Sequence, residues 1–187
     1  MSTSEPKREF PSPVTLGHLG EDSKTFLVEA DDAAREAIAA RLDLASLEHL
    51  SANLTVQLDG DPDAPGTGAY VEGEVTGRGT QTCVVSLQPV PFDVKVAVQG
   101  LFLPADSSEF AREELTLDDD EVDVLGEIEA GSVDLGELAI QQLALELDPF
   151  PRAEGAEPEW RGDDGANVES AGNSPFAALA KLKDSLK

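Results

Sequence analysis

Carboxylates dominate the residues of this chain that could do chemistry. Asp118-Asp119-Asp120-Glu121-Val122-Asp123 invites a calcium reading, because a hard cation needs several oxygen ligands. The spacing does not support it: an EF-hand loop needs Gly at its sixth position and Glu at its twelfth. Counting from Asp118, the sixth position is Asp123; counting from Asp59, it is Ala64, and the twelfth is Tyr70. The run reads as a solvated acidic loop. His18 and His49 have no neighbouring Cys or paired His and read as ordinary histidines. Cys83 is the single cysteine, which rules out an intramolecular disulfide and a cysteine-built zinc site within one chain. Cys83 and Ser86 fall in an apolar run expected to be a strand, with no G-x-S-x-G elbow, so Cys83 reads as a small buried hydrophobe. Gly66, Gly68, Gly73, Gly77 and Gly79 form neither nucleotide-phosphate loop. No catalytic, cofactor-binding or metal-ligating residue, and no cofactor, is assigned.

The charge narrows the partners. The 187 residues carry 38 Asp plus Glu against 13 Lys plus Arg, a formal charge of −25. Such a chain repels phosphate, which disfavours direct nucleic-acid binding and polybasic membrane docking. It has no secretory h-region and no stretch of roughly 18 apolar residues. The expected location is the cytoplasm.

The elements that must position these residues follow from periodicity. Residues 1–12 read as a flexible start, with strands expected at 14–19 and 25–28. Asp31 and Asp32 can cap a helix over 32–42, in which Ala34, Ala37, Ile38, Arg41 and Leu42 recur at helical spacing. Leu54, Val56 and Leu58 alternate with polar neighbours, which predicts a strand with one wet face. The Gly-, Pro- and Asp-rich 59–68 reads as a loop. Three β-rich runs follow at 70–78, 82–87 and 92–102, and their short connections favour an antiparallel meander covered by the 32–42 helix.

Beyond Pro104 the composition shifts. Residues 105–171 hold 21 acids and three basic residues, a balance of −18. Within them, Leu135, Leu138, Leu143, Leu145 and Leu147 predict a buried helix over 134–147, stopped by Pro149 and Pro151. Residues 152–173 have little to bury and read as a disordered acidic linker. In the closing stretch, 174–187, Ser174 and Pro175 can start a helix with Phe176, Leu179, Leu182 and Leu186 near one face. Its charge is +2, from Lys181, Lys183, Lys187 and Asp184. Such a helix either docks in a partner's groove or packs on its own chain.

Three segments, in this order, resemble the YceD-like family, the large ribosomal RNA subunit accumulation proteins. They are the hairpin from Val71-Glu72-Gly73-Glu74-Val75 to Cys83-Val84-Val85-Ser86-Leu87-Gln88-Pro89-Val90-Pro91-Phe92, the Val133-Asp134-Leu135 helix with its Asp148-Pro149-Phe150-Pro151 stop, and the closing Asn173-Ser174-Pro175-Phe176-Ala177-Ala178-Leu179-Ala180-Lys181-Leu182-Lys183. Family members often carry C-x-R-C where this chain has Cys83 and Ser86, with Val85 replacing the Arg. No metal or redox role of that pair therefore carries over.

The resemblance implies a part in synthesis, processing or stability of large-subunit (23S) ribosomal RNA. Combined with the charge, it leads to a non-enzymatic acidic adaptor for a basic ribosomal protein or RNA-processing or assembly factor. Its expected anchors are Pro175, Phe176, Leu179 and Leu182, with Lys181 and Lys183 beside them. Two alternatives are a Mg²⁺-dependent hydrolase or nuclease using carboxylates of 118–134, and an RNA mimic that competes for a cationic site. The nuclease reading lacks cations in the acidic run to hold substrate phosphates. The expected fold is α+β: a domain over 13–151 in which a twisted antiparallel sheet or partial barrel of about five to seven strands from 14–124 is covered by helices.

Overall fold

A computed structural model describes residues 8–20, 22–60, 67–104 and 123–157. In chain order the elements are β1 (Pro13–Thr15), a 3-10 turn (Leu16–His18), β2 (Lys24–Glu29), α1 (Asp32–Arg41), β3 (Ser46–Asp59), β4 (Gly68–Thr82), β5 (Pro89–Pro104), β6 (Val124–Ile128), β7 (Ser132–Asp134) and α2 (Leu135–Glu146). The fold is α+β, with a five-stranded sheet in the order β2-β3-β4-β5-β6 and a small antiparallel sheet of β1 and β7. Contacts divide the chain between Glu154 and Gly155; beyond that point only residues 155–157 are described.

Period-2 alternation builds the large sheet. Leu50, Ala52, Leu54 and Val56 of β3 are buried at every second position, and Val71 and Val75 of β4 and Val94 and Val98 of β5 are buried on the same alternating face. Lys95, Ala97 and Gln99 face water. The expected meander is present, with β2, β3, β4 and β5 each antiparallel to the next. β6 differs: it pairs parallel to β5, so the sheet is mixed and its last strand stands at an edge.

Two segments depart from the expected strands. Of 14–19 only Val14 and Thr15 are extended, within β1, because Leu16–His18 closes a 3-10 turn with the Leu19 N–H donating to the Leu16 carbonyl. Residues 82–87 are not a strand beyond Thr82. The Cys83 N–H bonds the Gln88 carbonyl at 2.8 Å, the Leu87 N–H bonds the Cys83 carbonyl at 3.1 Å, and Leu87 takes φ 60°, so the valines sit in the β4–β5 turn.

The helices form where expected. The Asp31 side chain caps α1 by accepting from the Ala34 N–H at 2.8 Å, and Ala34, Ile38 and Ala39 face the core. α1 packs on β3, while α2 spans β3, β4 and β5, so the sheet's cover is shared rather than supplied by α1 alone. α2 buries Leu135, Leu138, Ala139, Ile140 and Leu143. Leu145, expected in that stripe, is 76% exposed, since it falls off the 3.6-residue face. Glycine sets how closely α2 approaches: a Cβ at Gly77 of β4 would lie 2.8 Å from Leu143 Cδ1.

Candidate functional site

The side chains with the most organised electrostatics surround the start of α2. Asp134 ends β7 and caps α2, its Oδ1 accepting from the N–H groups of Gly136 at 3.0 Å, Glu137 at 3.3 Å and Ser12 at 2.9 Å. Its Oδ2 accepts from Arg8 Nη1 at 2.8 Å, and Arg8 also pairs with Glu129. Burial opposes ionisation of Asp134, but the Ser12 N–H, the Arg8 guanidinium and the Glu137 N–H outweigh it and hold the carboxyl below its usual range. One turn on, Glu137 takes both Arg41 Nη groups, at 2.9 and 2.7 Å. This fork holds Glu137 below its usual range against the opposing effect of burial, and raises Arg41. Glu9 adds a third contact to Arg41 at 3.2 Å. Residues 8–10 thus strap the helix start. Gly136 permits this, because a Cβ there would lie 1.8 Å from the Phe10 carbonyl oxygen.

These groups ring an open cleft of about 610 Å³ whose apolar lining includes Phe102, Leu125 and Leu138. Local backbone geometry creates it. Ala130 and Gly131 both have positive φ, 48° and 72°, and join β6 to β7 in a two-residue turn closed by reciprocal hydrogen bonds between Glu129 and Ser132. The hairpin stops there: β7 turns to pair with β1 while β6 stays on β5, and the two strands splay. The cleft is lined by five carboxylates (Glu9, Glu127, Glu129, Asp134 and Glu137) and two arginines. Glu127 makes no ion pair among the described residues.

Cys83 occupies the turn between β4 and β5. Its side chain is fully buried, and Sγ accepts from the Val85 and Ser86 N–H groups at 3.4 and 3.3 Å. The Ser86 hydroxyl, foremost, and the Ala153 N–H add to these and lower the thiol from its ordinary 9.0 to about 6. Buried it is, but as a hydrogen-bond acceptor that organises a turn and not as a hydrophobe in a strand. Ser86 is one of its donors.

Other residues singled out from the sequence are dispersed. His49 Nε2 lies 3.0 Å from Ser51 Oγ, which lies 2.9 Å from Thr76 Oγ1, forming a cross-strand polar group on β3 and β4. His18 closes the 3-10 turn. Residues 118–122 and the six expected anchors (Pro175, Phe176, Leu179, Lys181, Leu182 and Lys183) lie outside the described residues, as do 158–173 of the expected linker. Asp123 is described and uses its backbone, the Leu101 N–H donating to its carbonyl at 2.8 Å. Among the described residues no three of His, Cys, Asp and Glu converge so as to hold a metal ion, and no helix is long and apolar enough to cross a membrane.

Sequence reasoning missed the cleft because its parts come from distant segments: Arg8 and Glu9, Arg41, β6, and α2. The available signal was Asp134-Leu135-Gly136-Glu137, an acid-x-x-Glu pattern that marks a helix start. It locates the cap but not the guanidiniums.

No curated protein and no solved structure matches the chain. A family profile does match, that of the Large ribosomal RNA subunit accumulation protein YceD, over residues 71–183. The match enters within β4, takes in β5, β6, β7 and α2, and covers more than half of the sequence. The chain belongs to the YceD family of large ribosomal RNA subunit accumulation proteins.

Proposed function

We propose that this protein supports large-subunit ribosomal RNA as a non-enzymatic acidic adaptor, binding a basic ribosomal protein or an RNA-processing or assembly factor. Family membership carries the ribosomal RNA part of this reading. The −25 charge carries the adaptor part, because an acidic surface steers toward basic proteins and away from phosphate backbones. The 174–187 segment is the second contact, with Pro175, Phe176, Leu179 and Leu182 as apolar anchors and Lys181 and Lys183 flanking them.

The Mg²⁺ hydrolase alternative drew its ligands from 118–134. Asp134 is committed as a helix cap and as the partner of Arg8, which takes one carboxylate from that set. The RNA-mimic alternative differs from the adaptor by competition: added RNA would displace the protein from its partner. Deleting residues 174–187 tests the adaptor's second contact. The expected result is less mature large-subunit RNA and fewer co-purifying proteins; unchanged levels of both would remove the segment from the function.

A further inference from the structure

The cleft beside α2 combines three independent features. The first is an unpaired strand edge: β6 ends the five-stranded sheet, and among the described residues only the bridge from Glu129 to Ser132 engages its outer side. Such an edge is a template for one more strand. The second is apolar surface at its centre, from Leu125 with Phe102 and Leu138. The third is charge. The arginines occupy Glu9, Glu129, Asp134 and Glu137, whereas Glu127 is exposed and makes no ion pair among the described residues.

We propose that the outer edge of β6 takes up an extended, basic segment of a partner protein by strand addition. Pairing with β5 shifts register between Val124 and Gly126, so Leu125 packs on the core with Ile128 while Glu127 points to the opposite, exposed face of β6. An added strand therefore presents apolar side chains on the Leu125 face and Lys or Arg on the Glu127 face, while its main chain bonds the edge. Strand addition explains why the splay of β6 from β7 matters: a fully zipped hairpin would cover the same edge. The proposal rests on the adaptor reading and deepens it by naming the docking surface and the chemistry of the docked segment.

The test uses the full chain and a fluorescein-labelled peptide of alternating Lys and Val, which places Lys on one face of a strand and Val on the other, with binding read by anisotropy at near-physiological salt. Glu127→Lys is expected to weaken binding roughly fivefold or more, by turning an opposite-charge cross-strand pair into a like-charge one. Glu72→Lys, an equal charge change at an exposed position of β4, is expected to leave affinity within about twofold. The peptide is then N-methylated at one or the other alternate set of residues. Only one set of N–H groups faces a strand edge, so one version loses binding and the other keeps it. Absence of binding, equal loss in the two variants, or equal binding of both methylated peptides would overturn strand addition. If these fail while RNase-resistant partners still co-purify with the protein, the cleft is wrong and the adaptor reading stands; if the partners vanish with RNase while the peptide results hold, the reverse applies.

Discussion

The two sides of the large sheet solve different problems. From β2 to β5 the strands are antiparallel, joined in sequence and laddered along most of their length, and α2 seals their inner face through Leu138, Ile140 and Leu143. Beyond β5 the order changes: β6 is five residues long, parallel and at the edge, and its hairpin partner leaves it after one bridge. The meander side is held by burial, where a lost methyl group costs most. The β6 side is held by caps and ion pairs around a cleft, each a smaller and more pH-sensitive contribution. The sheet's stability is thereby concentrated on one side, and the proposed docking edge lies on the other.

The largest expected effect breaks the meander side. Leu143→Ala should destabilise by about 2–5 kcal/mol in urea titrations, because Leu143 is fully buried against Gly77. Leu145→Ala, two residues on but exposed, should stay within about 0.5 kcal/mol. Equal effects would mean that α2 does not cover the sheet through this face.

On the cleft side, Asp134→Ala removes the cap of α2 and should cost about 1–2 kcal/mol. It should also change the acid limb of the stability curve. The native carboxyls of Asp134 and Glu137 lie below their ordinary 3.8 and 4.5, so their stabilisation is present above those values and is lost as pH falls through the native ones. Removing Asp134 should flatten that loss; an unchanged acid limb would leave the cap without electrostatic consequence.

Cys83 offers an intermediate test. A thiol lowered from 9.0 to about 6 contributes stability that is full above 9.0 and disappears as pH falls through about 6. Cys83→Ser, which does not ionise there, should lose the rise in stability over that window while remaining folded. A thiolate absorbance that appears only near pH 9 in the native wild type would contradict the hydrogen-bonded turn. Smallest is Arg41→Met, expected to cost up to about 1 kcal/mol, since the Arg41–Glu137 fork is part-exposed.

Legibility in the sequence followed the same division. Alternation in β3 and β5, the Asp31 cap and the leucine spacing of α2 were readable because each signal lies within one element. The valines at 84 and 85 misled, because β-branched composition resembles a strand while a buried sulfur accepting N–H groups folds the same residues into a turn. β6 and β7 were missed. Val124-Leu125-Gly126-Glu127-Ile128 is short, carries a central Gly and has a parallel partner, a pairing that local pattern does not encode. The salt bridges that tie α2 into the cleft join residues more than 90 positions apart, Arg41 to Glu137 and Arg8 to Asp134, and no short-range rule reaches that far.

The central claim is that this family member serves ribosomal RNA through protein partners. Affinity purification of the full chain from cells, with and without RNase, addresses it most directly. The account predicts basic ribosomal or RNA-processing proteins that stay bound after RNase treatment. Loss of every partner on RNase treatment, with large-subunit RNA recovered directly on the protein in untreated samples, would contradict it.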